Sequence, residues 1–328
     1  MRFSPSDLRS LTVFRALVEH GGFLGTQLAL GMSQSTVSFH LRALEERLGF
    51  DLCQRGRKGF VLTERGQAVY DGSKSLVASI SAFEGVLGEL HHKVVGTLRV
   101  GMVDNTITDP RFDFPSVIKQ CVRNSPDVEI KLTVSSPDVL MAQVATGGLD
   151  LAVIPRLDIP DGFDQILFHE EMNSLYCGHL HPLFKAKPTR AEIEASEFVV
   201  RPYANNRELH FFRKAPVRAH ATNMEAQAAF ILSGEFLGYL PEHYANHWVE
   251  RRQMRALMSP ETRIVRPFVI VTKSDTPSSP LQRLFIRGLV AEGVHAQDGR
   301  LAAAAQAVFN TAPQEKLAGR RNKSKKSI

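Results

Sequence analysis

The stretch "MSQSTVSFHLRALEERLG", residues 32–49, decides the fold of the first domain. It starts with small polar residues, repeats apolar residues three and four positions apart, and ends on Gly49. This spacing predicts an amphipathic helix with Ser33 as its N-cap. At about 100° per residue, one stripe is apolar and is predicted to be buried: Val37, Leu41, Leu44 and Leu48.

The neighbouring arc of this helix carries small polar side chains and one arginine: Gln34, Ser35, Ser38 and Arg42. Such side chains let a helix end enter the major groove, where Gln pairs with an adenine edge and Ser with base edges or phosphate. We expect Arg42 to meet the DNA backbone. Phe39 lies opposite the apolar stripe, and we expect it to contact a thymine methyl group, with packing on the neighbouring hairpin as the alternative. The pattern alone also fits a small helical bundle with a solvated polar face.

The flanking segments favour DNA binding. Residues 4–22 predict a first helix with Ser6 as its N-cap and Gly21 at its end, and "LGTQLAL", residues 24–30, predicts a short second one. Two helices joined by a tight turn form the helix-turn-helix layout. The segment 50–63 then predicts two short strands around a basic tip, a wing that would contact the minor groove or phosphate through Arg55, Arg57 and Lys58.

Several motifs together carry a family resemblance: "FRALVEHGGF", "MSQSTVS", "LEERLGFDL" and "LTERG". Across residues 7–66 they resemble the winged helix-turn-helix of LysR-type transcriptional regulators. The resemblance implies DNA contacts from Ser33, Gln34, Ser35, Ser38 and Arg55. The chain departs from the usual family pattern at Thr26, Gln27, Phe39 and Cys53, which bears on base preference more than on fold.

Residues 64–95 form a proline-free run with an apolar repeat of four and three residues. The repeat is an a/d heptad seam, and it passes through Val69, Ser73, Leu76, Ile80, Phe83, Leu87, Leu90 and Val94. We expect a dimerising helix that uses the apolar members up to Leu90, and the resemblance agrees because this segment is similar to the family's linker helix. A long helix packed on its own domain is the alternative. Two copies would present two recognition helices to a roughly palindromic site.

The rest of the chain predicts two α/β lobes. Strands "GTLRVGMV", "DVEIKLTV" and "GLDLAVI", with a helix starting at Ser136, form a βαβ pattern and hence a parallel sheet. A second set follows from "FDQILFHE" and "MNSLYCG", two separate strands, to "FLGYLP", and "RIVRPFVIVTK" returns to the first lobe. This is the architecture of periplasmic-binding-protein-like sensors, which hold a ligand between the lobes. "VEIKLTV", "GGLDLAVI", "HPLF" and "GYLP" resemble the LysR-type effector domain, with Phe236 as a departure.

Candidate effector contacts are polar residues at strand ends and helix starts: Asp104, Asn105, Thr106, Ser135, Ser136, Arg201 and Tyr203. Hydroxyl and amide groups at a helix N-terminus suit a carboxylate or another anion. Asp104 argues the other way, since a carboxylate prefers an amine or a hydroxyl group. Each of these residues could also be a simple cap or turn residue.

Composition excludes several classes of protein. The 328 residues are 43% hydrophobic and 23% charged, and they contain neither a signal-peptide pattern nor a long apolar run. The three cysteines, Cys53, Cys121 and Cys177, are far apart, which fits a reducing cytoplasm. The net charge of +6 lies mostly in the segment 315–328, because the remainder holds 34 basic and 33 acidic residues. We expect this end to be solvated and disordered, or to make nonspecific phosphate contacts.

The sequence gives little support for an enzymatic function or a metal site. Cys177, His179 and His181 stand close in sequence but have no acidic partner nearby. The sequence has no GxSxG, no P-loop and no GxGxxG after a strand. We therefore expect no enzyme, no metal site and no cofactor.

These observations predict a multi-domain α/β protein with a winged domain (1–65), a linker and dimerisation helix (66–94), an effector domain (95–300) and a basic tail (301–328). Lobe I would span about 95–161 and 267–300, and lobe II about 162–266. The expected function is regulation of transcription by a cytoplasmic dimer or tetramer that binds a double-stranded operator and a small-molecule effector, with no membrane contact. The alternative is a cytoplasmic solute-binding sensor whose N-terminal helices mediate protein interaction.

Overall fold

The computed structural model describes residues 4–56, 59–90, 94–110, 112–123, 127–202 and 207–294. The first domain contains three helices and a hairpin, which are α1 (Pro5–Glu19), α2 (Phe23–Leu30), α3 (Gln34–Leu48), β1 (Cys53–Gly56) and β2 (Gly59–Leu62). The N-cap of α1 is Ser4, so the prediction of Ser6 was wrong. Pro5 fills the first helical position, where its fixed φ suits a helix start, and Ser4 and Asp7 cap each other in a capping box.

The helix α3 confirms its predicted cap and buried stripe. The Ser33 hydroxyl accepts a hydrogen bond from the Thr36 backbone N–H at 3.2 Å, and Gly49 ends the helix in the left-handed region at a φ of 79°. Its buried side chains are Val37, Leu41 and Leu44, with Leu48 partly buried against the same core. This core also includes Leu11, Phe14 and Leu17 of α1, so the local pattern of the sequence is enough to assemble the helices.

A long helix, α4 (Glu64–Leu90), leaves the wing at a point of very close contact. A Cβ atom added to Gly66 would lie 1.9 Å from the Leu52 carbonyl oxygen. The Thr63 hydroxyl donates to the Asp51 carbonyl at 2.9 Å and accepts from the Gly66 N–H at 2.9 Å. The "LTERG" motif therefore joins the base of the wing to the start of α4.

The first part of the effector region is a parallel α/β unit. It comprises β3 (Gly96–Met102), α5 (Phe114–Arg123), β4 (Val128–Val134), α6 (Pro137–Ala145) and β5 (Leu151–Pro155). β3 pairs in parallel with both β4 and β5. These strands share one buried apolar core with the last of the described helices, α10 (Pro280–Val294), which makes this unit lobe I.

Two long strands connect lobe I with a second lobe. The first is β6 (Phe163–Gly178), 16 residues long, so the prediction of two separate strands was wrong. The second is β11 (Ile264–Lys273), which pairs with β6 in antiparallel fashion over its whole length. The two quoted segments stop at Glu170 and restart at Met172, but Glu170 and Glu171 both lie within the ladder. The resulting sheet has the order β10-β6-β11-β5-β3-β4, with β9 also on β6.

Lobe II is inserted between these two strands. It contains α7 (Arg190–Glu194), β7 (Phe198–Val200), β8 (Val217–His220), α8 (Met224–Leu232), β9 (Gly238–Pro241), α9 (Glu242–Glu250) and β10 (Met254–Ala256). Its buried residues form two apolar clusters on the ends of β6 and β9. Within the described ranges, no helix combines the length and apolar character needed to cross a bilayer.

The linker helix α4 also packs on lobe I of its own chain. A Cβ atom added to Gly147, in the turn after α6, would lie 3.2 Å from the Ser75 Cα atom. The Ser75 hydroxyl donates to the Thr146 carbonyl at 3.5 Å. Gly147 has a φ of 72°, so both its backbone conformation and this contact require glycine.

Candidate DNA-reading and effector sites

The start of α3 presents the predicted reading residues at the surface. Gln34, Ser35 and Arg42 are exposed, and Ser38 is half-buried. The Ser33 and Ser35 hydroxyl groups lie 2.8 Å apart and hydrogen-bond each other. The side chains of the first turn are therefore accessible while Ser33 also caps the helix.

Phe39 is exposed on the same helix, with 68% of its surface accessible. Its ring contacts the His40 ring at a centroid distance of 5.6 Å, and His40 in turn hydrogen-bonds Ser10 of α1 at 3.1 Å. No packing of Phe39 on the wing is seen in the described part of the chain. At the wing, Arg55 lies in β1, its side chain is not among those described, and Arg57 and Lys58 lie outside the described residues.

A residue missed in the sequence attaches the wing to the recognition helix. The Glu45 carboxylate accepts hydrogen bonds from the backbone N–H groups of Leu52, at 2.8 Å, and Cys53, at 3.4 Å. These donors start the wing, and Glu45 is in the fourth turn of α3. A glutamate on the side of α3 that faces the next segment was the available signal.

The apolar stripe of α4 is largely exposed on the single chain. Leu76, Ile80, Phe83 and Leu87 expose 38%, 42%, 61% and 42% of their surfaces. Val69 packs against the core of the winged domain, Val94 packs against lobe I, and Ser73 is buried. The side chain of Leu90 is not among those described. The free part of the seam therefore begins at Leu76.

Lobe I contributes a loop after β3 to the junction between the lobes. The Asp104 carboxylate accepts a hydrogen bond from the Met224 backbone N–H at 2.5 Å. Met224 is the first residue of α8 in lobe II. Asn105 donates its amide to the same carboxylate at 3.0 Å. Thr106 is buried and donates its hydroxyl to the Val103 carbonyl at 2.9 Å, so it completes the turn.

The remaining predicted effector residues lie on both lobes. Ser135 and Ser136 are half-buried, and Ser136 is the N-cap of α6 without a side-chain bond to the helix backbone. Arg201 is 1% exposed and donates from Nε to the Glu208 carboxylate at 2.6 Å. Tyr203 lies outside the described residues.

A buried polar network, which sequence reasoning missed, crosses the same junction. His169 hydrogen-bonds Asp109 at 2.9 Å, and His243 of α9 hydrogen-bonds Glu171 at 3.2 Å and Thr108 at 2.8 Å. His169, Glu171 and Asn173 occupy alternate positions of β6 and so face one side of the strand. Polar residues at three alternate positions of one strand were the signal in the sequence.

The two carboxylates of this junction differ in their electrostatics. Burial raises the pKa of Asp104 above its ordinary value, and the charge of Glu171 adds to the effect. For Glu171, burial acts in the same direction, but hydrogen bonds from His243 and Asn173 and the charge of Arg201 hold its pKa below the ordinary value. The surroundings of Glu171 thus stabilise its ionised form, whereas ionisation of Asp104 costs free energy in the folded protein.

The cysteine and histidine residues at 177–181 do not form a metal site. Cys177 is buried and burial raises the pKa of its thiol to about 11, while the His181 ring accepts a hydrogen bond from the Leu183 N–H at 3.1 Å. Over the ranges that the structure describes, no group of three or more His, Cys, Asp and Glu is arranged to hold a metal ion.

Two family profiles match the chain. Residues 8–67 match "Bacterial regulatory helix-turn-helix protein, lysR family", and residues 91–293 match "LysR substrate binding domain". The HTH-type transcriptional activator BauR of Pseudomonas aeruginosa is 32% identical over 291 residues, which cover 85% of this chain and 93% of that protein. The regulator YtlI of Bacillus subtilis is 26% identical and covers 60% of this chain and 63% of that protein.

Solved structures share the fold at low sequence identity. CbnR in complex with its target DNA matches with a TM-score of 0.61 and 16% identity, and covers 87% of this chain and 99% of that chain. A full-length OxyR variant from Pseudomonas aeruginosa gives a TM-score of 0.63 at 17% identity, with 89% and 95% coverage. LysG from Corynebacterium glutamicum with bound effector Arg gives 0.53 at 17% identity, with 88% and 98% coverage.

The profile matches and the BauR similarity extend over nearly all of the described chain, from the reading helix to α10. The alternative of a solute-binding sensor without DNA binding is therefore set aside. The chain belongs to the LysR family of transcriptional regulators, with an N-terminal DNA-binding domain and a C-terminal effector-binding domain.

Proposed function

We propose that this regulator reads its operator with the first turn of α3, through Ser33, Gln34, Ser35 and Ser38, while Phe39 contacts a thymine methyl group and Arg42 and the basic wing contact the backbone. The supporting observation is the exposed polar surface at the start of α3, beside a wing that Glu45 attaches to the same helix. CbnR, a protein of the same fold, has been solved in complex with its target DNA, which supports DNA binding by a protein of this architecture. We also propose that the protein acts in the cytoplasm, which the family description of a bacterial regulator supports, and that it has no catalytic role.

Selection from random DNA duplexes by the parent protein provides the test. The enriched site is then titrated with the double variant Gln34→Ala, Ser38→Ala and with Thr12→Ala, an exposed position on α1. Loss of base contacts should cost about 1–3 kcal/mol each in discrimination, so the double variant should bind the selected and random duplexes almost equally. Unchanged discrimination by the double variant would contradict the proposed reading surface.

We further propose that the exposed stripe of α4 pairs two chains, with Leu76, Ile80, Phe83, Leu87 and Leu90 in the contact, and that assembly to a tetramer uses other surfaces. Large apolar side chains at a heptad spacing are stable in water only when a partner covers them. Phe83→Asp should give monomers in analytical ultracentrifugation and weaken operator binding. Ser81→Asp, beside the stripe in the heptad, is the matched control, and dimers of Phe83→Asp as stable as the parent's would refute this interface.

The effector is proposed to bind between the lobes, among the residues that join Asp104 to α8 and Thr108 to α9. A ligand there would change the contacts between the lobes and thereby the arrangement of the paired chains on DNA. The effector-bound structure of LysG supports an effector-binding role for this domain in a protein of the same fold.

A further inference from the structure

We propose that the site between the lobes takes a small molecule that carries a protonated amine, and that Asp104 accepts the hydrogen bond of this amine. The inference rests on the proposed function, because it assigns a ligand chemistry to the effector site. The sequence leaves both signs of charge open, since helix N-termini suit anions and Asp104 suits a cation.

At each position where the junction could bind an anion, a group of the protein is already present. The N-terminus of α8, which a carboxylate ligand would take, already holds Asp104, whose carboxylate accepts from the Met224 N–H at 2.5 Å. The guanidinium group of Arg201 is bonded to Glu208 at 2.6 Å, and Arg266 donates to the same carboxylate at 3.0 Å. Both guanidinium groups are thus engaged by Glu208, and the charge of Arg201 also acts on the carboxylates of Asp104 and Glu171.

The N-terminus of α6 is also a poor seat for an anion. Ser136 makes no side-chain hydrogen bond to the α6 backbone, and its hydroxyl instead hydrogen-bonds Asp138, which lowers the pKa of that carboxyl group. The negative charge of Asp138 lies in the first turn of the helix. It occupies the favourable end of the helix dipole and repels a second anion.

The junction holds more carboxylate acceptors than arginine donors. Among the residues that the structure describes, the carboxylates here are Asp104, Asp109, Glu171 and Glu208, and the arginines that hydrogen-bond to them are Arg201 and Arg266. Asn173, which is fully buried, donates its amide to Glu171 at 2.9 Å, and this bond fixes which way the amide lies. Its Oδ1 atom has no hydrogen-bond partner among the described residues.

A buried acceptor without a donor costs free energy, and an ammonium group supplies up to three donors. Asn173 faces the same side of β6 as Glu171 and His169, and therefore faces the network. The Met224 and Asn105 bonds both use the Oδ2 atom of Asp104, so its Oδ1 atom takes no hydrogen bond from another described residue. Its pKa is raised because burial outweighs the Met224 hydrogen bond and the charge of Arg201, so a further cation beside this carboxylate would stabilise its ionised form.

The test uses the full chain and two sets of probes in a thermal-shift assay. One set contains amines, namely the common l-amino acids, their ω-amino relatives and short diamines. The other contains nitrogen-free carboxylates and phosphorylated sugars. A ligand of the folded state raises Tm, so we expect at least one amine to give a saturable rise that its nitrogen-free analogue does not give.

Asp104→Asn separates charge from shape, because asparagine can still accept from the Met224 N–H. We expect this variant to bind the amine at least about tenfold more weakly, the loss expected for a charge-assisted hydrogen bond. Asp161→Asn, the same change at an exposed position before β6, should bind as the parent does.

Stabilisation by the nitrogen-free anions alone, an amine that binds Asp104→Asn as well as the parent, or no response to any amine would each overturn the inference. Binding of the same protein to its selected DNA duplex is measured in parallel. Intact DNA discrimination with any of these outcomes rejects only the amine assignment, whereas loss of discrimination in the parent rejects the proposed function.

Discussion

Glu45 shows how one side chain can define the geometry of a reading surface. Its carboxylate holds the N–H groups at the start of the wing, at 2.8 and 3.4 Å. Removing it leaves two partly buried donors without their acceptor, which costs about 1–3 kcal/mol. The hydrophobic core of the domain does not involve this residue, so the helices themselves should still fold.

Glu45→Ala should therefore lower the free energy of unfolding of the winged domain by about 1–3 kcal/mol and weaken operator binding by releasing the wing. Urea unfolding and DNA titration measure the two effects. Glu46→Ala, at the next and fully exposed position, should change neither. Equal effects from both substitutions would show that helix charge, and not the attachment of the wing, is responsible.

Asp104 gives a second prediction, on pH. Its pKa is raised in the folded protein, so the folded state holds this proton to a higher pH than the unfolded state does. Stability contributed by this group is present at acid pH and is lost as the pH rises through the folded pKa. Asp104→Asn removes that loss and should raise the Tm of the ligand-free protein at neutral pH, with little effect below the ordinary Asp pKa. A Tm that falls equally at both pH values would contradict the raised pKa.

The start of α4 illustrates a constraint between elements. A Cβ atom at Gly66 would collide with the Leu52 carbonyl oxygen at 1.9 Å, whereas one at Gly72 would meet nothing within 4 Å. Backbone cannot move aside as a flexible side chain can. Gly66→Ala should destabilise the winged domain by about 1–3 kcal/mol through overpacking. Gly72→Ala should be neutral or stabilising by up to about 1 kcal/mol, because alanine favours a helix; thermal unfolding of the two variants measures the difference.

Elements with a strong local pattern were predictable from sequence. The cap and stripe of α3 follow from residues within 16 positions of each other, from Ser33 to Leu48. The continuity of β6 was harder to predict, because two adjacent glutamates, Glu170 and Glu171, fit a turn as well as a strand. Only their pairing with β11 places them in a strand. The junction between the lobes was harder still. Asp109 and His169 are 60 positions apart, and only the folded chain shows that Asp104 occupies the N-terminus of α8.

Across the whole molecule, α6 connects the two functional regions. It starts at Ser136, a candidate effector residue, and ends at the turn where Gly147 touches Ser75 of the linker helix. Nine helical residues form a rod of about 14 Å. We therefore expect a displacement at the start of α6 to move the turn that contacts the linker helix.

Gly147→Ala should change this connection. The substitution adds strain at a positive φ and a Cβ atom 3.2 Å from the Ser75 Cα atom. Gly162→Ala is the matched control, since Gly162 has a φ of 94° but open space around it. Both should lose about 1–2 kcal/mol of stability from backbone strain, but only Gly147→Ala should alter the length or bend of the DNA footprint. Identical footprints for both variants would show that the contact between Gly147 and Ser75 does not affect how the DNA-binding domains lie on DNA.

The crossing strands β6 and β11 also determine how this protein can be divided. Each contributes residues to both lobes, and ten register pairs join them without an intervening loop. Paired strands, and not an exposed loop, connect the two lobes. Limited digestion by a protease that cleaves exposed loops should therefore release the effector region as one fragment. Recombination faces the same restriction, because exchange of lobe II between relatives needs two crossovers that both fall inside one hydrogen-bonded ladder. We therefore expect chimaeras that exchange the whole effector region to fold more readily than chimaeras that exchange lobe II alone.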